Sequence, residues 1–172
     1  MFKKTCIIGC GLIGSSLARA IKKNKLSDII VSSNRSDTLN KKVVELKIVD
    51  ESSSDTKKIV NDSDLIVIAT PLSSYEDVIL KIKDSLKEGA ILTDVGSVKE
   101  NVINLIEKII PNNISWIPSH PIAGTEESGP ESGFAELFKD RWCILTPSKK
   151  ANPKDIKILE KFWNNIGSKV DI

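Results

Sequence analysis

Thr5-Cys6-Ile7-Ile8-Gly9-Cys10-Gly11-Leu12-Ile13-Gly14 is the stretch on which the fold of this chain turns. A short apolar run leads straight into G-x-G-x-x-G, and Ile13, Leu17, Ala20 and Ile21 then fall at helical spacing. Strand, glycine turn and helix in that order open a βαβ unit. Each glycine is there for a steric reason. The first permits the tight turn, and the second lets backbone approach a pyrophosphate. The third lets the helix pack closely on the strand. Phosphates would be held by backbone N–H groups at the helix N-terminus, where the dipole favours anions. The competing reading is a glycine-rich turn without a ligand, and the βαβ context weighs against it. Gly9, Gly11, Leu12, Ile13 and Gly14 are therefore candidate dinucleotide contacts. Cys10 sits near a helix N-terminus, which can lower a thiol pKa, but no base is at hand and it reads as a small filler.

Outward from this stretch, short β-rich runs alternate with amphipathic ones. That is the signature of an α/β fold with a doubly wound, mostly parallel sheet and helices on both faces. Strands are expected at Thr5–Ile8, Ile29–Ser33, Leu65–Ala69, Ala90–Thr93, Ile114–Ile117, Trp142–Leu145 and Lys169–Ile172. Leu65–Ala69 is almost wholly apolar, as a strand buried on both faces must be. A helix is expected over Leu39–Leu46, and another from Ser73, where Ser73-x-x-Glu76 offers a capping box, to Gly89. A further helix carries Val102, Ile106 and Ile109 on one face, and the last starts at Asn152 with Pro153 in its first position. The segment from Ser119 to about Phe134 is expected to be irregular, and loops of that length are usually functional or disordered. Trp116, Trp142, Trp163, Phe134, Phe138 and Phe162 read as core.

Composition narrows the function. The 172 residues suit a single domain, and 25 Lys+Arg against 23 Asp+Glu offer no electrostatic case for nucleic acid or an anionic membrane. Three cysteines form no CxxC pair and no even set, which argues against a zinc site or a disulfide framework and suits the cytoplasm. The single histidine, His120, excludes a metal site built from several imidazoles. Lys3-Lys4 before an apolar run mimics a signal peptide, but Gly9, Gly11 and Gly14 interrupt that run too early.

Dinucleotide folds place their ribose-reading residue after the second strand, ~20 residues past the glycines. Asn34, Arg35 and Ser36 stand there. An Asp would repel a 2′-phosphate; Asn34 does not, and Arg35 could pair with one, which permits NAD and leans modestly to NADP. A solvated surface arginine is nearly as good a reading of Arg35. Ligands bind outside the C-terminal ends of the strands, so Thr70 and Pro71 after one strand, and Gly96 and Ser97 after the next, should face the nicotinamide. Ser97-x-x-Glu100 is also a capping box, and spacing alone favours the cap. His120 lies in a polar, glycine-containing run past another strand, where a neutral imidazole can take a hydroxyl proton while hydride leaves the same carbon. Glu126 could orient it, or be a plain loop carboxylate.

Three runs together resemble the prephenate/arogenate dehydrogenase family. They are His120-Pro-Ile-Ala-Gly-Thr-Glu126, Gly9-x-Gly-Leu-Ile-Gly14-x-Ser-Leu-Ala18 and Asp94-x-Gly-Ser-Val-Lys99. Ser128 to Phe138 and Arg141 to Pro147 are similar to its cyclohexadienyl dehydrogenase branch. The resemblance covers essentially the whole chain and implies a Rossmann-type nucleotide-binding domain. It also implies an oxidative decarboxylation of tyrosine biosynthesis: hydride leaves ring carbon 4 of prephenate or arogenate for NAD or NADP, carbon dioxide is lost and the ring aromatises. His120 would hydrogen-bond the 4-hydroxyl and help remove its proton, Ser97 would contact the same hydroxyl, and Glu126 would join a polar network closing the site. Activity should then fall as pH drops through the ordinary imidazole range, about 6.5.

Two departures accompany the resemblance. The family often has Asp where this chain has Asn34. It also has a helical second domain supplying the homodimer interface and a substrate-gripping arginine, and this chain ends at Ile172, about where that domain should begin. The expectation is therefore the nucleotide-binding half of an enzyme that uses no metal. The alternatives are a stand-alone NAD(P)-binding module without turnover and another hydroxyacid-type dehydrogenase.

Overall fold

The structure, a computed structural model, describes residues 1–97 and 100–172, and the side chains of all of these but 100–102. Six strands form the main sheet: β1 (Phe2–Ile8), β2 (Ser27–Ser33), β3 (Glu51–Ser52), β4 (Leu65–Ile68), β5 (Ile91–Asp94) and β6 (Ser115–Trp116). Their order is β3-β2-β1-β4-β5-β6, with every neighbouring pair parallel. The order reverses between β1 and β4, which opens a crevice at the C-terminal edge of the sheet.

The period-two alternation of the strands builds a core on each face. Ile7, Ile30, Leu65, Val67 and Ile91 pack against α1 (Leu12–Lys23), α2 (Asp37–Glu45) and α6 (Pro153–Ile166). Cys6, Ile8, Val31, Ile66, Ile68 and Leu92 point the other way, to α3 (Thr56–Val60), α4 (Tyr75–Ile82) and α5 (Glu100–Ile109). β4 is buried at all of its positions, as its unbroken apolar composition requires.

A second sheet of three strands stands beside the first: β7 (Ser119–Pro121), β8 (Trp142–Leu145) and β9 (Lys169–Asp171). β7 runs antiparallel to β8, with His120 opposite Ile144, and β9 runs parallel to β8. Behind it Phe2, Phe138, Phe162 and Trp163 form edge-on ring pairs.

Several local expectations are corrected. The run from Ser119 opens as a strand, because its backbone pairs with β8. Trp142 (51% exposed) and Phe134 (40%) are not core: alternation in β8 turns Cys143 and Leu145 inward and Trp142 out. No capping box forms at Ser73, which lies in a 3₁₀ turn, Leu72–Ser74, that precedes α4. The neighbouring Ser74 hydroxyl folds back to the Pro71 carbonyl and Thr70 Oγ1 instead of capping the helix. α4 stops at Ile82 rather than continuing to Gly89; a second 3₁₀ turn, Lys83–Ser85, follows. β3 and α3 are too short for periodicity to reveal.

Candidate nucleotide and catalytic site

The glycine turn is shaped by contacts that leave no room for a Cβ. Gly9 has φ +98°, and a Cβ there would lie 2.8 Å from the Ala69 carbonyl oxygen and 2.9 Å from Thr70 Cγ2. At Gly14 a Cβ would lie 2.0 Å from the Gly9 carbonyl oxygen, so α1 rests directly on the turn that feeds it. Gly11 differs: a Cβ there would meet nothing within 4 Å, because the position faces open space. Gly11 is the N-cap of α1, offers no side chain, and is followed by no acid in the first turn. The other N-caps include side chains that accept a backbone N–H: Ser36 on α2, Asp55 on α3 and Asn152 on α6. Among the described residues no side chain caps the first turn of α1, and an open cradle at Gly11 in front of free helix N–H groups is the kind of place that suits a pyrophosphate.

A cleft of about 600 Å³ lies in front of this turn. Gly9, Gly11, Asn34, Arg35, Ser36, Thr70 and Pro71, all expected to contact a cofactor, line it together. Leu12, Ile13 and Gly14, in the first turn of α1, and Gly96 lie outside its lining. Asn34 is buried and its amide is engaged: Oδ1 accepts the Cys10 N–H at 2.7 Å, and Nδ2 donates to Asn40 Oδ1 at 3.0 Å. The side chain therefore ties the glycine turn to α2. Arg35 is exposed at the cleft and makes no ion pair among the described residues. Ser36 caps α2 through the Leu39 N–H. Lys81, which nothing in the sequence pattern singled out, also lines the cleft and reaches Thr56 Oγ1 at 3.4 Å. Burial pushes the Cys10 thiol up to about 11, so the filler reading stands and no thiolate forms near neutral pH.

Beyond the cleft, the end of β5 is bonded to the start of β7. Asp94 is fully buried; its Oδ1 accepts the Ser119 N–H at 3.1 Å, and its Oδ2 accepts the Tyr75 hydroxyl and the Gly96 N–H, each at 3.0 Å. The Ser119 hydroxyl lies against the Asp94 carbonyl oxygen and Thr93 Oγ1. Burial, reinforced by the adjacent Asp94 charge, raises the Tyr75 phenol far above its ordinary range, so it stays a donor. This joint brings the turn carrying Gly96 and Ser97 beside the strand carrying His120. His120 is half-buried and shares the outward face of β7 and its continuation with Ile122, because Ser119 and Pro121 point inward. Ser97 and Glu126 are exposed. The pairing of Ser97 with Glu100 in a capping box, and the placement of Val98, Lys99 and the Val102 side chain, lie outside the described residues.

The segment after β7 is held against α1. Ser16 Oγ accepts the Phe134 N–H at 3.1 Å, and Arg19 donates to the Pro130 carbonyl at 3.3 Å. Ion pairs Lys23–Glu136 and Lys42–Glu131 hold its exposed side. Asp94, Tyr75 and Ser119 join the candidate site only in the folded chain. Asp94 stood inside a quoted run, but nothing in one dimension pairs it with Tyr75 or Ser119.

Strand order, glycine turn and crevice define a nucleotide-binding domain of the doubly wound dehydrogenase class. The family pattern described as "Prephenate dehydrogenase, nucleotide-binding domain" matches residues 17–172, and the chain belongs to that family. It is 38% identical to the cyclohexadienyl dehydrogenase of Zymomonas mobilis over 173 aligned positions, covering 100% of this chain and 58% of that protein. With the prephenate dehydrogenase of Bacillus subtilis it shares 29% identity over 90% of this chain and 42% of that one. The Aquifex aeolicus prephenate dehydrogenase structure, with hydroxyphenyl propionate and NAD+, superposes with TM-score 0.92 at 28% identity, covering 99% of this chain and 59% of that one. Synechocystis arogenate dehydrogenase superposes at 0.87 with 27% identity, covering 98% of this chain and 58% of that one. The chain thus spans between 42% and 59% of the length of these relatives. None of its helices, among the described residues, is long and apolar enough to cross a membrane.

Proposed function

We propose that the chain is the nucleotide-binding half of an enzyme that oxidatively decarboxylates prephenate or arogenate. The observation that carries this reading is the Asp94–Ser119 joint, which seats His120 beside the Gly96–Ser97 turn at the same sheet edge as the cofactor cleft. The names of the relatives support the substrate class.

The glycine turn and the first turn of α1 hold the pyrophosphate, and Thr70 and Pro71 form the wall opposite Asn34 and Arg35. When bound, the nicotinamide supplies the hydride acceptor. His120, neutral, accepts the proton of the substrate's 4-hydroxyl as that carbon becomes a carbonyl, and Ser97 hydrogen-bonds the same oxygen. Loss of the ring carboxylate as carbon dioxide leaves its bonding pair to complete the aromatic ring. Glu126, on the exposed loop, closes a polar network over the substrate. The remaining substrate contacts and a homodimer interface belong to a helical second half.

The same cleft favours NADP over NAD. No carboxylate occupies position 34, and Arg35 stands unpaired at the cleft among the described residues. Arg35→Ala should weaken NADP binding about fivefold and leave NAD within about twofold, read by cofactor titration. Unchanged NADP affinity, or NAD held much more tightly by the parent chain, would reverse the preference.

The central experiment assays prephenate and arogenate, each with NAD and NADP, on this chain and on the chain extended by its native continuation. Turnover confined to the extended form, and reduced there about a hundredfold or more by His120→Asn, is the expected result. His120→Asn keeping most of kcat would sink the assignment. Tight dinucleotide binding without turnover in either form would leave a binding module.

A further inference from the structure

We propose that Asp94, assisted by Tyr75, is a positioning residue that sets the Ser97 turn and the His120 strand at working distance; this rests on His120 being the proton acceptor. Three donors among the described residues converge on one buried carboxylate, and each comes from a different part of the site. Ser119, which donates to Oδ1, is the residue before His120. Gly96, which donates to Oδ2, is the residue before Ser97. Tyr75, the second donor to Oδ2, begins α4, just past the Thr70-Pro71 wall of the cofactor cleft.

This is also where the chain passes from one sheet to the other. β6 follows β5 in the parallel sheet, with Ile117 N–H still bonded to the Leu92 carbonyl at 2.9 Å. Two residues later Ser119 has turned to pair with β8, and its bonds to Asp94 hold the start of β7 to the end of β5. The site is crowded as well: a Cβ at Gly96 would lie 2.9 Å from the Tyr75 hydroxyl and 3.0 Å from Asp94 Oδ2. Small displacements at Asp94 are therefore passed to both turns.

A carboxylate suits this junction because it only accepts, and so serves these three donors at once. The isosteric Asp94→Asn replaces one acceptor by an NH₂. If the amide oxygen keeps the Ser119 N–H, the NH₂ faces the Gly96 N–H, donor against donor. Tyr75 can escape by turning its hydroxyl towards the Ile68 carbonyl, 3.5 Å away, but a backbone N–H cannot turn. Tyr75→Phe removes one donor and leaves both backbone donors served, so its effect must be the smaller.

His120 is the sole histidine, so its ring gives one set of imidazole resonances in histidine-labelled protein. The test compares those resonances in the parent chain, Asp94→Asn and Tyr75→Phe, alongside melting curves and NADH titration. In the extended protein kcat and KM are followed as well. The expected result is a displaced or broadened ring signal in folded Asp94→Asn and a smaller displacement in Tyr75→Phe. In the extended form kcat should fall at least tenfold for Asp94→Asn, with the cofactor KM changed less than threefold. A folded Asp94→Asn with an unmoved ring signal, even with a lowered melting temperature, overturns the proposal. Should that variant not fold, Tyr75→Phe decides, and an unmoved ring there overturns it equally. Retained turnover in His120→Asn together with a displaced ring in Asp94→Asn would refute the catalytic reading and leave the positioning role standing.

Discussion

Helices α1 and α6 pack into the same core, yet their ends are finished in opposite ways. α6 is completed by its own residues. Asn152 accepts the Lys154 N–H at 2.9 Å, Pro153 occupies the first turn and Asp155 adds negative charge there. Its far end closes on Gly167 at φ +102°. α1 begins at a bare glycine with no acid in its first turn. A helix end that lacks a cap of its own at a cleft can meet a ligand there, whereas a capped end has its N–H groups already engaged.

The largest effect should come from Gly14→Ala, whose methyl group would overlap the Gly9 carbonyl and push α1 off its strand. A loss of about 3 kcal/mol or more in chemical denaturation is expected, with cofactor binding lost too. Gly11→Ala separates the two properties, because its methyl group enters only the open cradle. Stability should stay within about 1 kcal/mol while dinucleotide affinity drops tenfold or more, roughly 1.4 kcal/mol. Equal losses of both would mean that Gly11 is structural. Asn152→Ala should do the reverse at α6, costing about 1 kcal/mol of stability with NADH affinity unchanged.

The smallest effect is a pH dependence at the opposite, N-terminal edge of the sheet, which the chain closes for itself. Asp64 accepts the backbone N–H groups of Lys3 and Lys4 and pairs with Lys87. Burial acts to raise its pKa, but the bonds from Lys87, Lys4 and Lys3 outweigh it and hold the carboxyl below the ordinary carboxylate value. Its stabilisation is therefore complete above that ordinary value, about 3.9, and is lost as pH falls through the depressed folded value. Melting temperatures of the parent chain and Asp64→Asn should converge on acidification below about pH 4. A gap that persists at pH 2 would remove the charge from the explanation.

Much of this architecture was legible in one dimension. Thr5–Gly14 announced strand, turn and helix, the solid apolar run of β4 announced burial on both faces, and Asn152-Pro153 announced the start of α6. Each of these signals is local, arising from sterics, propensity or periodicity within a few residues. β3 and α3 were not legible because they span 2 and 5 residues, fewer than a period can be read from. At Ser73 the local pattern misled, because a 3₁₀ turn after Pro71 took up the residues that a capping box needed. Trp142 misled for a related reason: its hydrophobicity suggested core, but the pleat decides which face a residue takes.

Residue order alone was enough for the doubly wound class and the glycine turn, and it singled out His120 as the candidate with chemistry to offer, since these readings rest on short-range geometry and on residue identity. The packing of distant segments, by contrast, ties the glycine turn to α2 through Asn34, puts Lys81 in the cleft wall and joins the Gly96 turn to the His120 strand through Asp94. Cys10 and Asn34 stand 24 positions apart in the chain, and Asp94 and Ser119 stand 25 apart, well beyond the reach of any helical or strand period. Their bonds form because the sheet order brings strand ends together, and no local pattern encodes that order.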